Sequence, residues 1–298
     1  METGKCEAFL EAASEGSITA AASRLGLTQP GVTRMLNSLE SELGFRLFVR
    51  GKSGVRLTAE GKAFLPAARD VVRAARKAEE VSFSIRGVTR GLLMIGSYFS
   101  VSAIWMPRIL SEYEKLYPGV RVRLLEGGNR EMAKWIAERS VDLCFCAEPA
   151  KLEGFDWIPV MRDRIIAWLP GNHPLARARA YPLSRLEEDP FIHTLPGEDT
   201  DQDRLLAREN LKPAVRFTTK DGFTTWRMVE EGLGVSFNQE LISQRWKGNV
   251  ALVPVDPPQY VPLGLAIPAL DEASPAAKRF IACVRKLSPE LRAMVKRG

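Results

Sequence analysis

The sequence lacks the features that mark membrane-spanning and secreted proteins. The uncharged run from Leu92 to Pro107 is too short to cross a bilayer, and Gly96 and three serines make it too polar. The first residues carry Glu2, Glu7 and further acidic residues instead of the basic and then apolar segments of a secretory signal. We therefore expect a cytoplasmic protein that has no membrane as its partner.

Groups that would carry catalysis or bind a metal ion are scarce as well. The two histidines, His173 and His193, are separated in the sequence and suggest neither a metal triad nor a Ser-His-Asp set. Gly232 and Gly234 lack the third glycine of a dinucleotide fingerprint. We therefore expect no catalytic residue, no metal site and no cofactor, and we predict that the chain is not an enzyme.

The four cysteines show no zinc-like spacing, so reduced thiols are expected. Cys144 and Cys146 lie two residues apart on a predicted strand, which places both thiols on one face. They act either as a redox or metal sensor or as small buried hydrophobic side chains. The second alternative is favoured because no basic residue stands nearby in the sequence to lower a thiol pKa.

The distribution of basic and aromatic residues divides the chain into two parts. Its 298 residues suffice for two or three domains, and 45% hydrophobic with 26% charged residues is an ordinary globular composition. The net charge of +6 suits a polyanionic partner. The basic excess is concentrated in residues 24–62, whereas all six tryptophans lie after residue 100. A small basic unit followed by a larger aromatic-rich unit is the simplest interpretation.

The first 45 residues show the pattern of three short helices. Apolar residues at helical spacing predict a helix over residues 5–15. Ser17 is a suitable N-cap for a second helix over residues 18–25, which Gly26 ends. Thr28 then caps a third helix, with Pro30 in its first turn, where a missing N–H costs nothing. Two helices joined by a tight turn indicate a helix-turn-helix.

Polar side chains on the third helix and on the segment after it suit DNA. The outward face of the helix carries Gln29, Thr33, Arg34 and Asn37, residue types that read base edges in a major groove. Residues 46–57 predict two short strands that form a wing, and its basic side chains are placed to meet phosphates. A three-helix scaffold with a solvated polar face is the alternative that periodicity alone leaves open.

The motifs of this region resemble a known family. The stretch GSITAAASRLGLTQPGVTRMLNSLESELGFRLFVR, residues 16–50, and VRLTAEG, residues 55–61, resemble the DNA-binding domain of LysR-type transcriptional regulators. The resemblance implies a winged helix-turn-helix domain over residues 1–58, with the helix-turn-helix at about 18–37. Gly31 and Thr33 stand where the family usually has Ala and Ser, so the base preference is expected to differ. The implied DNA contacts are Gln29, Pro30, Thr33, Arg34 and Asn37 in the major groove, and Ser17, Thr28, Arg50, Lys52 and Arg56 on phosphates.

Residues 58–85 favour one long helix with a narrow apolar seam. Such a seam pairs either with another helix or with the helix's own domain. The resemblance implies a linker helix over residues 59–88 that makes a homodimer, and two dimers would form a homotetramer. Pro66 is tolerated if it lies near the first turn of this helix.

After residue 91, strand-like and helix-like segments alternate, which indicates α/β units with buried parallel strands. We predict a helix over residues 103–117 and strands that include residues 92–98, 120–126 and 141–147. The LysR resemblance continues in LMIG, VDL, HPLA and EGLGV, and it implies an effector domain of periplasmic-binding-protein type over residues 92–298. Subdomain I would comprise about 92–161 and 265–298, subdomain II about 162–264, with crossings near Val160 and Gly264.

The resemblance also implies a small inducer between the two subdomains. Ser100 and Ser102 precede a helix and suit an anion, or they are plain N-caps. His193 contacts the inducer or is a satisfied polar residue. Asn238 stands where the family often has proline, so the pocket is expected to differ. The implied effector-binding residues are Ser97, Tyr98, Phe99, Ser100, Ser102, Gly127, Gly128, Asn129, His193, Thr194, Asp221, Phe223 and Thr224.

The fold class predicted from the sequence is therefore α + α/β: a winged helix-turn-helix, a long linker helix and a two-subdomain α/β effector domain. The predicted function is sequence-specific binding of double-stranded DNA to regulate transcription, under the control of an anionic small-molecule inducer and with RNA polymerase as a further partner. A free solute-binding protein and an enzyme that uses the cleft are the alternatives.

Overall fold

A computed structural model describes residues 2–51, 54–85, 90–149, 155–243 and 246–295. The chain divides into two compact units, residues 1–92 with 137–140 and residues 93–136 with 141–298. Within the described residues, no helix combines the length and the apolar character that a membrane span requires.

The N-terminal unit contains the predicted helix-turn-helix. Its elements are α1 (Thr3–Glu15), α2 (Ile18–Leu25), α3 (Gln29–Leu43), β1 (Phe48–Gly51), β2 (Gly54–Leu57) and α4 (Ala59–Ile85). The Ser17 side chain accepts a hydrogen bond from the Ala20 amide at 3.3 Å, and the Thr28 side chain accepts one from the Gly31 amide at 3.3 Å. Gly26 ends α2 with φ 66°, a left-handed conformation that favours glycine. The predicted caps and bounds of both helices are thus confirmed.

β1 and β2 form the predicted wing as an antiparallel pair in which Phe48 lies opposite Leu57. The wing contacts the end of α1, since the Val55 amide donates to the Gly16 carbonyl at 2.8 Å. Gly54 has φ 112°, and a Cβ there would lie 2.3 Å from the Gly16 oxygen, so only glycine fits this approach. Lys52, which the sequence placed on the wing, lies outside the described residues.

Helix α4 packs its first half into the N-terminal core. The Phe64 ring packs at a tilt against buried Phe9 with ring centroids 5.7 Å apart, and Ala68 and Val72 are buried in the same cluster. The interpretation of a helix packed on its own domain therefore holds for this half. Further along, Val81 and Ile85 are exposed. Pro66 does not meet the condition of lying near the first turn: it is the eighth residue of a helix that continues past it, where it removes one backbone hydrogen bond.

The second unit is built on a mixed eight-stranded sheet with the order β4-β3-β5-β12-β6-β11-β7, and β10 also pairs with β6; β8 and β9 form a separate pair. Its strands are β3 (Gly91–Ser97), β4 (Val120–Glu126), β5 (Leu143–Ala147), β6 (Phe155–Pro170), β7 (Tyr181–Pro182), β8 (Pro190–Thr194), β9 (Ala214–Thr219), β10 (Ser236–Gln239), β11 (Val250–Asp256) and β12 (Tyr260–Pro268). Its helices are α5 (Phe99–Ile104), α6 (Met106–Leu116), α7 (Asn129–Ala137), α8 (Asp201–Arg208), α9 (Gly222–Glu230), α10 (Glu240–Ser243) and α11 (Pro275–Val295).

The expectation of parallel strands was only partly correct. β3 pairs with β5, and β8 with β9, in parallel, but β12 pairs antiparallel with both β5 and β6. β10 and β11 also run antiparallel to β6. The antiparallel pairs arise because β6 and β12 run through the middle of the sheet in opposite directions. Their register shifts between Leu263 and Gly264, opposite the stretch that contains Val160.

The predicted helix over residues 103–117 is in fact two helices, α5 and α6, that meet at Trp105. Trp105 is completely buried against Phe145, with ring centroids 5.5 Å apart, and Pro107 occupies the start of α6. Because α5 begins at Phe99, Ser100 and Ser102 lie inside its first turns and neither is its N-cap, which is Tyr98. The interpretation of these serines as N-caps is therefore wrong.

Candidate DNA-binding surface and effector cleft

Helix α3 has one apolar face and one polar face. Val32, Leu36 and Leu39 are completely buried in the N-terminal core. The predicted base-reading residues lie on the other face: Gln29, Pro30, Arg34 and Asn37 are exposed and Thr33 is half-buried. The Gln29 side-chain amide donates to the Thr33 hydroxyl at 3.0 Å. The first two turns of the helix thus present amide, hydroxyl and guanidinium groups together, the set that reads base edges.

Glu40, which the sequence analysis did not single out, holds the wing against α3. Its buried carboxylate accepts hydrogen bonds from the backbone amides of Leu47 at 2.8 Å and Phe48 at 3.2 Å, and from the Arg46 guanidinium at 3.0 Å. Burial raises the pKa of Glu40, but these hydrogen bonds and the charge of Arg50 outweigh it, so the pKa lies below its ordinary value. A glutamate three residues before the end of a helix gives no sequence signal for this role.

Two predicted DNA-binding residues contact each other. The Arg50 guanidinium on β1 donates to the Asn37 side-chain oxygen at 2.6 Å and lies 3.3 Å from Glu40 Oε2. Arg56, on β2, is exposed. The hydroxyls of Ser17 and Thr28 accept hydrogen bonds within their own helix caps. The phosphate contacts of Arg50, Arg56, Ser17 and Thr28 stay predictions.

In the second unit, three predicted effector residues come together. The Tyr98 hydroxyl donates to the Asn129 side-chain oxygen, and the Asn129 amide donates to the Asp199 carbonyl at 2.5 Å. The Ser100 hydroxyl donates to Gln239 Oε1 at 3.1 Å. Residues that the sequence assigned to subdomain I are thus hydrogen bonded to residues assigned to subdomain II. Asp199 and Gln239 were missed because they are 70 and 139 residues from their partners, a separation that no local pattern reports.

Asp201 lies at the centre of this group. Its Oδ2 accepts a hydrogen bond from the Gln239 amide at 2.6 Å. Burial raises its pKa, against the opposing effects of Gln239, Arg204 and Asn129. Burial and the charge of Asp201 also raise the pKa of Tyr98 well above its ordinary value. Two residues after Ser100, the buried Ser102 hydroxyl has no hydrogen-bond partner within the described parts of the chain.

The other predicted effector residues form a second group around α9. Asp221 caps that helix by accepting from the Thr224 amide at 2.8 Å, and the exposed Phe223 ring lies 5.5 Å from Trp246. The Thr194 hydroxyl lies 2.7 Å from that of Thr225. The structure gives these residues no direct hydrogen bond to Tyr98, Ser100 or Asn129. Gln202 lies between the groups, because it accepts from the Thr194 amide at 2.9 Å and follows Asp201 in α8.

The remaining candidate effector residues are Ser97, Phe99, Gly127, Gly128 and His193. Ser97 is buried at the end of β3, and its carbonyl accepts from the Gly127 amide at 3.2 Å. Phe99 is exposed, and the Gly128 amide donates to Glu131 at 3.0 Å. His193 is buried with Nε2 2.9 Å from Asp203 Oδ1. This contact lacks the geometry of a hydrogen bond, so both interpretations of His193, inducer contact and satisfied polar residue, stay open.

The cysteines lie where a thiol is least reactive. All four are free and buried. Burial raises the pKa of Cys146 to about 12 and that of Cys144 further still. Since the thiolate is the reactive form, this favours the interpretation of both residues as small buried side chains over that of a redox sensor.

Two family models match the chain one after the other. Residues 4–62 match the bacterial regulatory helix-turn-helix protein, lysR family, and residues 86–288 match the LysR substrate binding domain. The second match alone covers more than half of the chain. The chain belongs to the LysR family.

A relative supports the same assignment over nearly the whole chain, and solved structures share its fold. An uncharacterized HTH-type transcriptional regulator, YvbU of Bacillus subtilis (strain 168), is 32% identical over 293 residues, covering 96% of this chain and 99% of YvbU. A full-length OxyR variant from Pseudomonas aeruginosa has a TM-score of 0.74 at 20% identity and covers 98% of this chain and 95% of its own. CbnR complexed with its target DNA has a TM-score of 0.65 at 20% identity, with coverage of 96% and 99%.

These likenesses confirm the fold class predicted from the sequence, a helix-turn-helix domain followed by a substrate-binding domain. The LysR-family chain is a transcriptional regulator with an effector-binding domain, and it is not an enzyme. The alternative of a free solute-binding protein does not account for the matched helix-turn-helix over residues 4–62.

Proposed function

We propose that this LysR-family regulator binds a specific DNA sequence through α3 and the wing, and that a small molecule bound in the effector domain controls its effect on transcription. The observation that carries the proposal is the division of α3 into a buried apolar face and an exposed face of Gln29, Arg34 and Asn37. CbnR, whose fold is similar, is known in complex with its target DNA.

The DNA contacts follow from exposure and chemistry. Gln29, Pro30, Thr33 and Arg34 enter the major groove, where the unobstructed guanidinium of Arg34 suits guanine O6 and N7. Exposed Arg56 meets a phosphate, and Ser17 and Thr28 lie at helix starts where backbone N–H groups favour phosphate oxygens. Arg50 is already engaged by Glu40 and Asn37.

The inducer occupies the cleft between subdomain I (about 92–161 and 265–298) and subdomain II (about 162–264). The support for an anionic group is the unpaired hydroxyl of Ser102, the hydroxyl of Ser100 and the guanidinium of Arg204, which is paired with Asp199 and whose charge acts on both Tyr98 and Asp201. Inducer binding replaces the hydrogen bonds of Ser100 and Asn129 to the opposite wall and thereby favours one arrangement of the two walls.

The assembly is a homodimer through α4, and two dimers form a homotetramer that bridges paired sites. The support is the exposure of Val81 and Ile85 on the second half of that helix, where apolar side chains remain uncovered in a single chain. The regulator acts in the cytoplasm and contacts RNA polymerase when it alters transcription.

Footprinting tests the proposal directly. The full-length protein is incubated with the DNA upstream of its own gene at two salt concentrations and with excess competitor DNA. A protected pair of sites that weakens with salt but withstands competitor supports a sequence-specific regulator. The proposal is contradicted if excess competitor abolishes protection of this DNA and of every other promoter that is tested.

Replacement of Arg34 separates base reading from general DNA affinity. We expect Arg34→Ala to weaken binding to the protected site by roughly tenfold or more and to relax the preference at one base pair. Affinity for random DNA should change much less. Equal losses on both DNAs would mean that Arg34 contacts the backbone only.

A further inference from the structure

A chain of hydrogen bonds runs from the buried base of the wing to the exposed face of α3. It begins at the Glu40 carboxylate, which is 4% exposed and fixed by the backbone amides of Leu47 and Phe48. It continues to Arg50 Nη2, 3.3 Å from Glu40 Oε2, and ends at Asn37 Oδ1, 2.6 Å from the same nitrogen. The outermost member is one of the side chains assigned to the DNA surface.

The chemistry of this chain fixes the orientation of the Asn37 amide. A guanidinium has only donors, so the end of the amide that faces Arg50 must be the carbonyl oxygen. The NH₂ end therefore points away from Arg50. The Gln29–Thr33 pair differs, because a hydroxyl both donates and accepts, and it would tolerate either orientation of the Gln29 amide.

We propose that Arg50 is a positioning residue for specificity, which holds the Asn37 amide so that its NH₂ group is presented to a hydrogen-bond acceptor on a base edge. The acceptors of the major groove are purine N7, guanine O6 and thymine O4. The cytosine N4 amino group is a donor and is disfavoured at this position. This inference rests on the proposed DNA-binding function and assigns Arg50 a role different from a phosphate contact.

The geometry favours this role over a phosphate contact. The Arg50 side chain is one-third exposed, whereas that of Arg46, the other arginine on Glu40, is about three-quarters exposed. Arg50 Nη2 already serves both Asn37 and the Glu40 carboxylate, so a phosphate on the other nitrogens would have to share the guanidinium charge with an existing ion pair. Arg46 and Arg56 offer phosphates a charge at lower cost.

The test uses full-length protein and a duplex selected by the wild-type chain from a random-sequence DNA library. Binding is measured for the selected duplex, for all single base-pair substitutions and at a series of salt concentrations. The proteins are wild type, Arg50→Lys, Arg50→Met, Asn37→Ala and the double variant Arg50→Lys with Asn37→Ala. Arg56→Lys and Arg56→Met are the matched controls, since Arg56 lies on the same wing.

We expect Asn37→Ala to lose preference at one base pair, by roughly tenfold in the ratio of affinities. Arg50→Lys should lose preference at the same base pair while the salt dependence stays that of wild type, because the charge is kept. The double variant should lose no more preference at that base pair than Asn37→Ala alone, as expected for two residues that act as a unit. A 7-deazapurine at that position should weaken wild type and leave Asn37→Ala unchanged when the acceptor is N7.

Three results would overturn the inference. Arg50→Met could lower the slope of log K against log salt by about 0.9 with the base preference intact, which is the signature of one phosphate contact. The losses of Arg50→Lys and Asn37→Ala could instead add in the double variant. Finally, a wild-type chain that selects no sequence would overturn the proposed function and this inference with it. Melting curves that match wild type show that each variant is folded.

Discussion

At the scale of single residues, Glu40 is the group on which the DNA-binding surface depends most. It joins α3 to the wing through two backbone amides and two arginines. We expect Glu40→Gln to destabilise the N-terminal unit by about 2 kcal/mol, because a neutral amide replaces an acceptor of several charge-assisted hydrogen bonds. Hydrogen exchange at Leu47 and Phe48 measures the effect directly, and it should become faster.

The pH dependence of the same residue has a definite sign. The pKa of Glu40 is lower in the folded state than in the unfolded state, so its contribution to stability is complete above the unfolded pKa and is lost as pH falls through the folded pKa. The protection factors at Leu47 and Phe48, which correct the exchange rates for slower intrinsic exchange in acid, should therefore fall in acid in wild type and much less in Glu40→Gln. The control is Glu42→Gln on the same helix, where an exposed ion pair with Lys5 is lost and a much smaller effect on Leu47 and Phe48 is expected. Equal effects of both variants would contradict the assignment.

Single residues also show what a sequence can reveal about a site. Gln29, Arg34 and Asn37 were identified because helical periodicity alone decides which face of α3 is exposed. Tyr98, Ser100 and Asn129 were identified because the resemblance marks the loops that carry them. Glu40, Asp201 and Gln239 were not identified, since their roles come from partners that only the folded chain brings near. The Arg50–Asn37 contact has the same origin, 13 residues apart across a helix end and a strand.

At the scale of elements, the sequence succeeded where local chemistry sets the boundary. The bounds of α2 and the start of α3 are set by Ser17, Gly26 and Thr28, which act through their own backbone neighbours. The break between α5 and α6 was missed because it depends on the burial of Trp105, a tertiary effect. β11, β12 and α11 were not predicted, and the direction of β12 could not be, since strand pairing is decided across the sheet and not along the chain.

The position of Pro66 leads to a prediction about the local stability of α4. As the eighth residue of the helix it provides no N–H for the carbonyl one turn earlier, at Lys62, and its ring crowds that carbonyl. Pro66→Ala should therefore stabilise α4 locally by about 2 kcal/mol, since alanine is favoured over proline by about 3 kcal/mol inside a helix. Hydrogen exchange of residues 59–72 followed by mass spectrometry should become slower.

The control for this prediction is Pro30→Ala. Pro30 is the second residue of α3, where the N–H has no partner within the helix, so exchange in α3 should hardly change. If Pro66→Ala accelerates exchange in α4 instead, the backbone conformation that proline imposes must be required by the packing of Phe64 and Ala68 on α1.

At the scale of the whole molecule, the effector domain depends on two strands. β6 extends over 16 residues and pairs first with β12 and then with β10 and β11, so one strand takes part in both halves of the sheet. The sequence placed the crossings between subdomains near Val160 and Gly264, close to the shift in register. Those boundaries stay predictions, and a change in the relation of the two halves would pass through this segment of β6.

Asp163 lies within that segment and makes the effector domain sensitive to pH. It is completely buried and accepts hydrogen bonds from the Leu241 amide, 3.3 and 3.2 Å from its two oxygens. Burial raises its pKa to about 8, and the Leu241 amide opposes this only in part. The folded state therefore holds a proton that the unfolded state releases at much lower pH. Stability is highest below the unfolded pKa and falls as pH rises towards 8, by about 1 kcal/mol per pH unit.

Asp163→Asn should remove this dependence, because an amide keeps the oxygen that accepts from Leu241 and cannot ionise. Urea unfolding between pH 5 and 8, followed by tryptophan fluorescence, measures it, since all six tryptophans lie in the second unit. As pH rises, Asp163→Asn should become more stable than wild type. Asp156→Asn, at an exposed position on the same strand, should keep the wild-type slope of the free energy of unfolding against pH. If Asp163→Asn and wild type keep parallel curves, the carboxyl group is charged in the folded state, and the buried middle of β6 must then contain water or a counter-charge that offsets its burial.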